Sequence, residues 1–206
     1  MKQDFFKFPM HLIVHPFDGF WDLKYEGKGK VKVALVIVFV LFLTFVLQRQ
    51  YAGFLVNYND PRTLNSLAEL QYVILPFFLW CVSGWSITTL MEGEGKFREI
   101  LMATAYSLVP IILIYLPMTL ISRFLTTEES SFYYLLNTFA IIWFLYLLFV
   151  GTMTVHQYTP AKTVITMLLT VVTMGIMVFL GTLVFSLIQQ IIEFVVNIYR
   201  ELVFRI

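Results

Sequence analysis

Charge is what this sequence has least of. Only 13% of its residues are Asp, Glu, Lys or Arg, while 59% are hydrophobic; ordinary soluble domains carry about 25% charged residues. A soluble fold of 206 residues cannot hide so much apolar surface, so the bilayer is the expected solvent. The formal net charge of +1 leaves no broad basic face, and nucleic acid is excluded as a partner. Cysteine is nearly absent as well. Cys81 stands alone inside an apolar run, which excludes an internal disulfide and any zinc site built on cysteines. It reads as a small buried hydrophobe. No cleavable signal peptide is expected, because the first apolar run begins only near Val31. Asn-x-Ser/Thr sequons and lipidation motifs are missing too.

What is present is a series of apolar runs. They predict an all-α membrane protein: five transmembrane helices at about 32–47, 70–91, 100–122, 132–153 and 163–187, together residues 31–188. Residues 1–30 precede them as an interfacial amphipathic segment, with aromatics such as Phe8, Phe17 and Trp21 among Lys7, Asp18, Asp22 and Lys24. Pro9 and Pro16 divide that segment into short helices, and Gly27-Lys28-Gly29-Lys30 forms a flexible basic hinge. Residues 189–206 change character. Gln190, Glu193, Asn197 and Arg200 fall on one helical face and Ile191, Val195, Ile198 and Leu202 on the other, which predicts an amphipathic helix on the membrane surface.

Several local features bear on packing. Asp60-Pro61 and Thr159-Pro160 each pair an N-cap residue with proline at the first helical position. Gly84 and Thr88 share a face and let a neighbouring backbone approach. Thr163, Thr166, Thr170 and Thr173 make one stripe that packs closely or hydrogen-bonds across helices. Pro110 and Pro117 crowd the carbonyls of Tyr106 and Leu113, so the third span is expected to kink and to lie inside the bundle. That bend, with Tyr106 and Ser107, either serves packing or opens a polar pocket.

Orientation follows from Lys and Arg alone. Lys2, Lys7, Lys24, Lys28, Lys30, Lys32, Lys96, Arg98 and Lys162 fall on one side, and Arg49, Arg62, Arg123, Arg200 and Arg205 on the other. The excess places the N-terminus in the cytoplasm and the C-terminus outside it.

Between the span boundaries no Asp, Glu or His appears, nor any cation past the first residue. Desolvation makes such groups costly to keep without a use, so their scarcity argues against a proton-coupled carrier. The polar residues gather instead on the cytoplasmic side, around the turn Glu92–Glu99. His15, Glu92 and His156 are of metal-ligand type but carry no zinc spacing, so no metal and no cofactor is expected. Glu92-Gly93-Glu94-Gly95-Lys96 lacks phosphate-loop spacing, and its glycines read as a tight turn between antiparallel spans. The cap formed by His15, Asp18, Trp21, Glu92, Glu94, Lys96, Arg98 and His156 is the candidate docking surface for a partner.

Four motifs, in order, resemble the bacterial branch of the Yip1-domain family. They are His15-Pro16-Phe17-Asp18-Gly19-Phe20-Trp21, Glu92-Gly93-Glu94-Gly95-Lys96-Phe97, Tyr106-Ser107-Leu108-Val109-Pro110 and His156-Gln157-Tyr158. The resemblance implies a five-span integral protein of the bacterial cell membrane with a cytoplasmic N-terminus. Eukaryotic relatives act in vesicle trafficking with small GTPases; the long disordered N-terminal arm they carry is absent here, so that role is not carried over. Some bacterial members look like companions of ABC-type transport systems. The expected function is therefore a non-enzymatic scaffold or accessory subunit of a membrane complex, partnered by the lipid bilayer and by another membrane protein, an ABC transporter or a second copy. A channel or carrier for a small or amphiphilic solute is the alternative, and a metal-dependent membrane enzyme the next.

Overall fold

The computed structural model describes residues 4–57 and 64–204, with side chains from residue 7 onward. Among these residues all regular structure is helical: α1 (Asp4–Val14), α2 (Pro16–Lys24), α3 (Val31–Tyr51), α4 (Ser66–Leu90), α5 (Phe97–Ser107), α6 (Val109–Ile121), α7 (Ser130–His156) and α8 (Pro160–Phe204). Taking α5 and α6 as one span, five helical stretches are long and apolar enough to cross a membrane. The Asp60-Pro61 cap lies outside the described residues.

The first two spans are longer than their apolar runs. α3 continues through Gln48, Arg49 and Gln50, and α4 begins at Ser66, capped by Asn65 Oδ1, which accepts from the N–H groups of Leu67 and Ala68. Polar residues expected in the loop thus lie on helix, and two of them, Arg49 and Glu69, form an ion pair between α3 and α4. A charged pair that neutralises itself lets both helices run on past the point where hydropathy alone stops them.

The third span is broken where expected. Leu108 separates α5 from α6, two residues before Pro110, whose ring cannot share space with the carbonyl one turn back. Pro117 and Pro76 lie within continuous helix. Of the apolar window in this span 72% is buried, against 33%, 33% and 39% for the first, second and fourth, so it is the central helix of the bundle. The fourth span starts and stops close to expectation and the fifth starts close to it, with Thr159 Oγ1 accepting from the Lys162 N–H at the start of α8, but the fifth runs on well past its expected end at 187.

α8 packs on α4 through Thr163, Thr166 and Thr170, all buried. Each of their hydroxyls bonds to a carbonyl of its own helix, at Thr159, Lys162 and Thr166. The stripe therefore works by close packing: a Cβ placed on Gly84 stands 3.7 Å from Thr170 Cγ2. Among the described residues the stripe's one hydrogen bond to another helix end is to sulfur, Thr166 Oγ1 to Met91 Sδ at 3.3 Å. Residues 189–204 do not form a separate helix. They continue α8 without a break, and every residue from Thr182 to Phe204 is exposed. At 1.5 Å per residue the helix is about 68 Å long.

The N-terminal helices are part of the bundle. Phe8, Leu12, Ile13, Phe20 and Leu23 bury into the main core, with Phe8 edge-on to Tyr106 and Phe20 against Gly151. Their outer side keeps Val14, Phe17, Trp21 and Tyr25 exposed. Pro16 starts α2, whereas Pro9 sits within α1 and does not divide it. The Gly27–Lys30 hinge is tied at both ends. Lys28 Nζ meets Asp22 Oδ2 at 2.8 Å, and the Lys30 N–H donates to Tyr106 Oη at 3.4 Å.

Candidate functional site

The end of the bundle that carries α1 and α2 also gathers the end of α4, the start of α5, the end of α7 and the start of α8. Residues 91–96 cross it as a short loop. Glu92 has φ 56°, a left-handed value uncommon outside glycine. Gln157, just past α7, has φ 54° and ends that helix in the same way. These two bends bring the loop down onto His156 and Tyr158, whose rings stack at 5.3 Å.

The contacts are tight and specific. His156 is 3% exposed, and its Nδ1 accepts from the Gly95 N–H at 3.2 Å. In the neutral ring that places the proton on Nε2. Tyr158 Oη donates toward two carbonyls at the end of α4, Thr88 at 3.3 Å and Met91 at 3.2 Å, the first of which also accepts from the Gly93 N–H at 2.7 Å. Burial, with the Glu92 charge second, raises the Tyr158 pKa, so it stays a phenol at neutral pH. A Cβ on Gly93 would stand 2.5 Å from both His156 Nδ1 and Tyr158 Oη; one on Gly95 would stand 2.6 Å from His156 Cε1. The glycines are needed because the rings occupy the space, a reason the local turn alone does not supply.

The remaining charges rim this plug. Lys24 at the end of α2 bonds Glu94 Oε2 at 3.0 Å. Burial is the largest single influence and opposes the Lys24 charge, but the interactions with Glu94 and Tyr25 together outweigh it, so its pKa is raised. Glu99 Oε2 accepts from the Lys96 N–H and caps α5. Lys162 Nζ sits 4.4 Å from the centre of the Tyr158 ring.

Of the eight candidate docking residues, His15, Asp18, Trp21, Glu92, Glu94, Lys96 and Arg98 are exposed, and His156 alone is buried. The metal candidates do not converge. His15 stacks on His11 at 5.2 Å at the far end of α2, and among the described residues no three His, Cys, Asp or Glu side chains are grouped to hold an ion. The polar pocket considered for the third span is filled. Tyr106 is 1% exposed and engages Lys30 and Phe8, while Ser107 Oγ donates to the Ala103 carbonyl.

Sequence reasoning gave Tyr158 no role beyond its place in the His156-Gln157-Tyr158 motif, and it missed the Arg49–Glu69 pair. The pair lies at the opposite end of the bundle in a polar hollow with Gln48, Asn57 and Tyr133. Gln48 Nε2 donates to Tyr133 Oη at 2.9 Å and Asn57 Nδ2 to the Arg49 carbonyl at 2.8 Å. The signal available was a cation just after one apolar run and an anion just before the next.

Five apolar helical stretches around a buried, proline-broken centre define a polytopic α-helical protein, an integral protein of a membrane. The Yip1 domain family model matches residues 10–183, and the chain belongs to that family. No curated protein and no solved structure matches it.

Proposed function

We propose that the protein is a non-enzymatic scaffold or accessory subunit of a membrane complex, and that the rim of the cap is its docking surface. The observation that carries this reading is the division of labour within the cap. His156 and Tyr158 are engaged in holding the loop. Glu92, Glu94 and Lys96 stand exposed on that loop, Arg98 is exposed in the first turn of α5, and Asp18 and Trp21 are exposed on α2. Mixed charges beside an exposed tryptophan suit a protein partner, since Trp and Arg carry much of the energy at interface centres. The cation excess supports a cytoplasmic position for this face. The family resemblance directs attention to an ABC-type transport system as the partner, with a second copy of the chain as the other candidate.

The test is capture from native membranes with the wild-type chain and with Trp21→Ala and Arg98→Glu. Both residues are exposed, so the variants are expected to fold as wild type and to lose a co-purifying membrane protein. Recovery of the same proteins with all three chains, or of the chain alone, defeats the proposal.

A further inference from the structure

Two hollows described by different chemistry lie on one continuous groove. On α3, Leu41, Phe45, Gln48 and Arg49 recur at helical spacing and share a face, with Ala52 just past its end; on α4, Glu69, Val73, Pro76, Phe77 and Trp80 do the same. The lower part of this groove is an open apolar cleft of about 560 Å³, closed on its far side by α7 and α8 through Leu148 and Met167. The upper part is the polar hollow of about 280 Å³ around Arg49 and Glu69. Phe45 lines both. From Glu69 to Trp80 the groove runs eleven residues of helix, about 16 Å. That is the depth of one leaflet, about half of a 30 Å hydrocarbon core.

We infer that this groove holds one zwitterionic phospholipid with a primary-amine headgroup, its acyl chain in the apolar cleft and its headgroup on Arg49 and Glu69. The cleft faces hydrocarbon and has almost no polar lining, so acyl chain fills it and water does not. The hollow offers one cation and one anion side by side. A phosphate accepts from Arg49, whose side chain stays 29% exposed beside Glu69. A primary ammonium donates to Glu69, which is 8% exposed. An anionic lipid meets Arg49 but sets a like charge against Glu69. A quaternary amine carries no N–H to donate. The inference goes beyond the docking role and is independent of it, since the headgroup hollow and the exposed rim of the cap lie at different ends of the bundle.

The experiment supplies detergent-purified protein with vesicles of equal parts phosphatidylethanolamine, phosphatidylcholine and phosphatidylglycerol, and reads retained lipid by native mass spectrometry. Wild type is expected to keep one phosphatidylethanolamine per chain, favoured about tenfold, the worth of one charge-assisted hydrogen bond. Glu69→Gln leaves Arg49 unpaired and is expected to shift retention to phosphatidylglycerol. Val73→Trp fills the cleft and is expected to retain none of the three, while Leu135→Trp, on an exposed position of α7, retains lipid as wild type does. Should the substituted chains fail to fold, wild-type melting decides alone: added phosphatidylethanolamine raises it and the other two lipids do not. Retention in proportion to supply, a folded Val73→Trp chain that keeps its lipid, or equal stabilisation by all three lipids overturns the inference.

Discussion

One methyl group at Gly93 puts the whole cap to the test. A Cβ there stands 2.5 Å from His156 Nδ1, 2.5 Å from Tyr158 Oη and 3.0 Å from the Thr88 carbonyl oxygen. Carbon contacts are relaxed only at about 3.5–4.0 Å. Neither ring has an easy way to yield. His156 is held by the Gly95 N–H on one side and the Tyr158 ring on the other, and Tyr158 is held by the end of α4. Overpacking of this kind costs about 1–3 kcal/mol. If the rings do move, each hydrogen bond broken adds about 1 kcal/mol. The control is Gly175→Ala on α8, where nothing stands within 4 Å of the new Cβ. There alanine gains about 0.5–1 kcal/mol of helix stability over glycine. For a chain of this length about 1 kcal/mol moves the melting temperature by about 2–4 °C. Gly93→Ala is therefore expected to melt about 2–12 °C below wild type in detergent, and Gly175→Ala at or slightly above it. The chain's four tryptophans supply the fluorescence signal. Equal melting of the two variants refutes the claim that the loop needs glycine because His156 and Tyr158 fill the space.

Other consequences are simpler to read. Tyr158→Phe removes the donor to the Thr88 and Met91 carbonyls and is expected to cost about 1–2 kcal/mol, measured by the same melting curves; an unchanged melting temperature counts against the cap on α4. Cys81 is fully buried, so maleimide labelling of the folded protein in membranes is expected to be slow and to become complete only after denaturation. Zinc added to purified protein is expected to leave melting unchanged, because His15, Glu92 and His156 are not grouped; a zinc-dependent rise requires a different arrangement of that end.

The helical class and the five apolar stretches were readable because hydrocarbon solvent demands long apolar helices, and those are visible residue by residue. Boundaries were less readable. Arg49 and Glu69 looked like loop residues on their own, and only their pairing across α3 and α4 explains why helix continues beneath them. Proline was legible in part. Pro110 coincides with a break, whereas Pro9, Pro76 and Pro117 sit within helices, a difference set by neighbours that no local rule sees. Glu92, Glu94, Lys96 and Arg98 were legible as polar residues beside a turn between two spans. His156 proved to be a buried support for the loop, because its partner, the Gly95 N–H, is 61 residues away in sequence. The polar stripe at 189–206 was seen, but a stripe says nothing about whether a helix pauses before it.

The burial of the third span also dictates an order of arrival. Its Thr104, Tyr106 and Ser107 are shielded by α3 and α4, made earlier, and by α7, made later. During synthesis the span enters the membrane before α7 exists, and for that interval one side of it meets lipid instead of protein. Its mean hydropathy of 2.0 suffices for entry, but its final surroundings come only with the fourth span. Assembly of the bundle is thus gated by the completion of α7, and a nascent chain stopped before Ser130 holds its central helix in the membrane with its packing face still open.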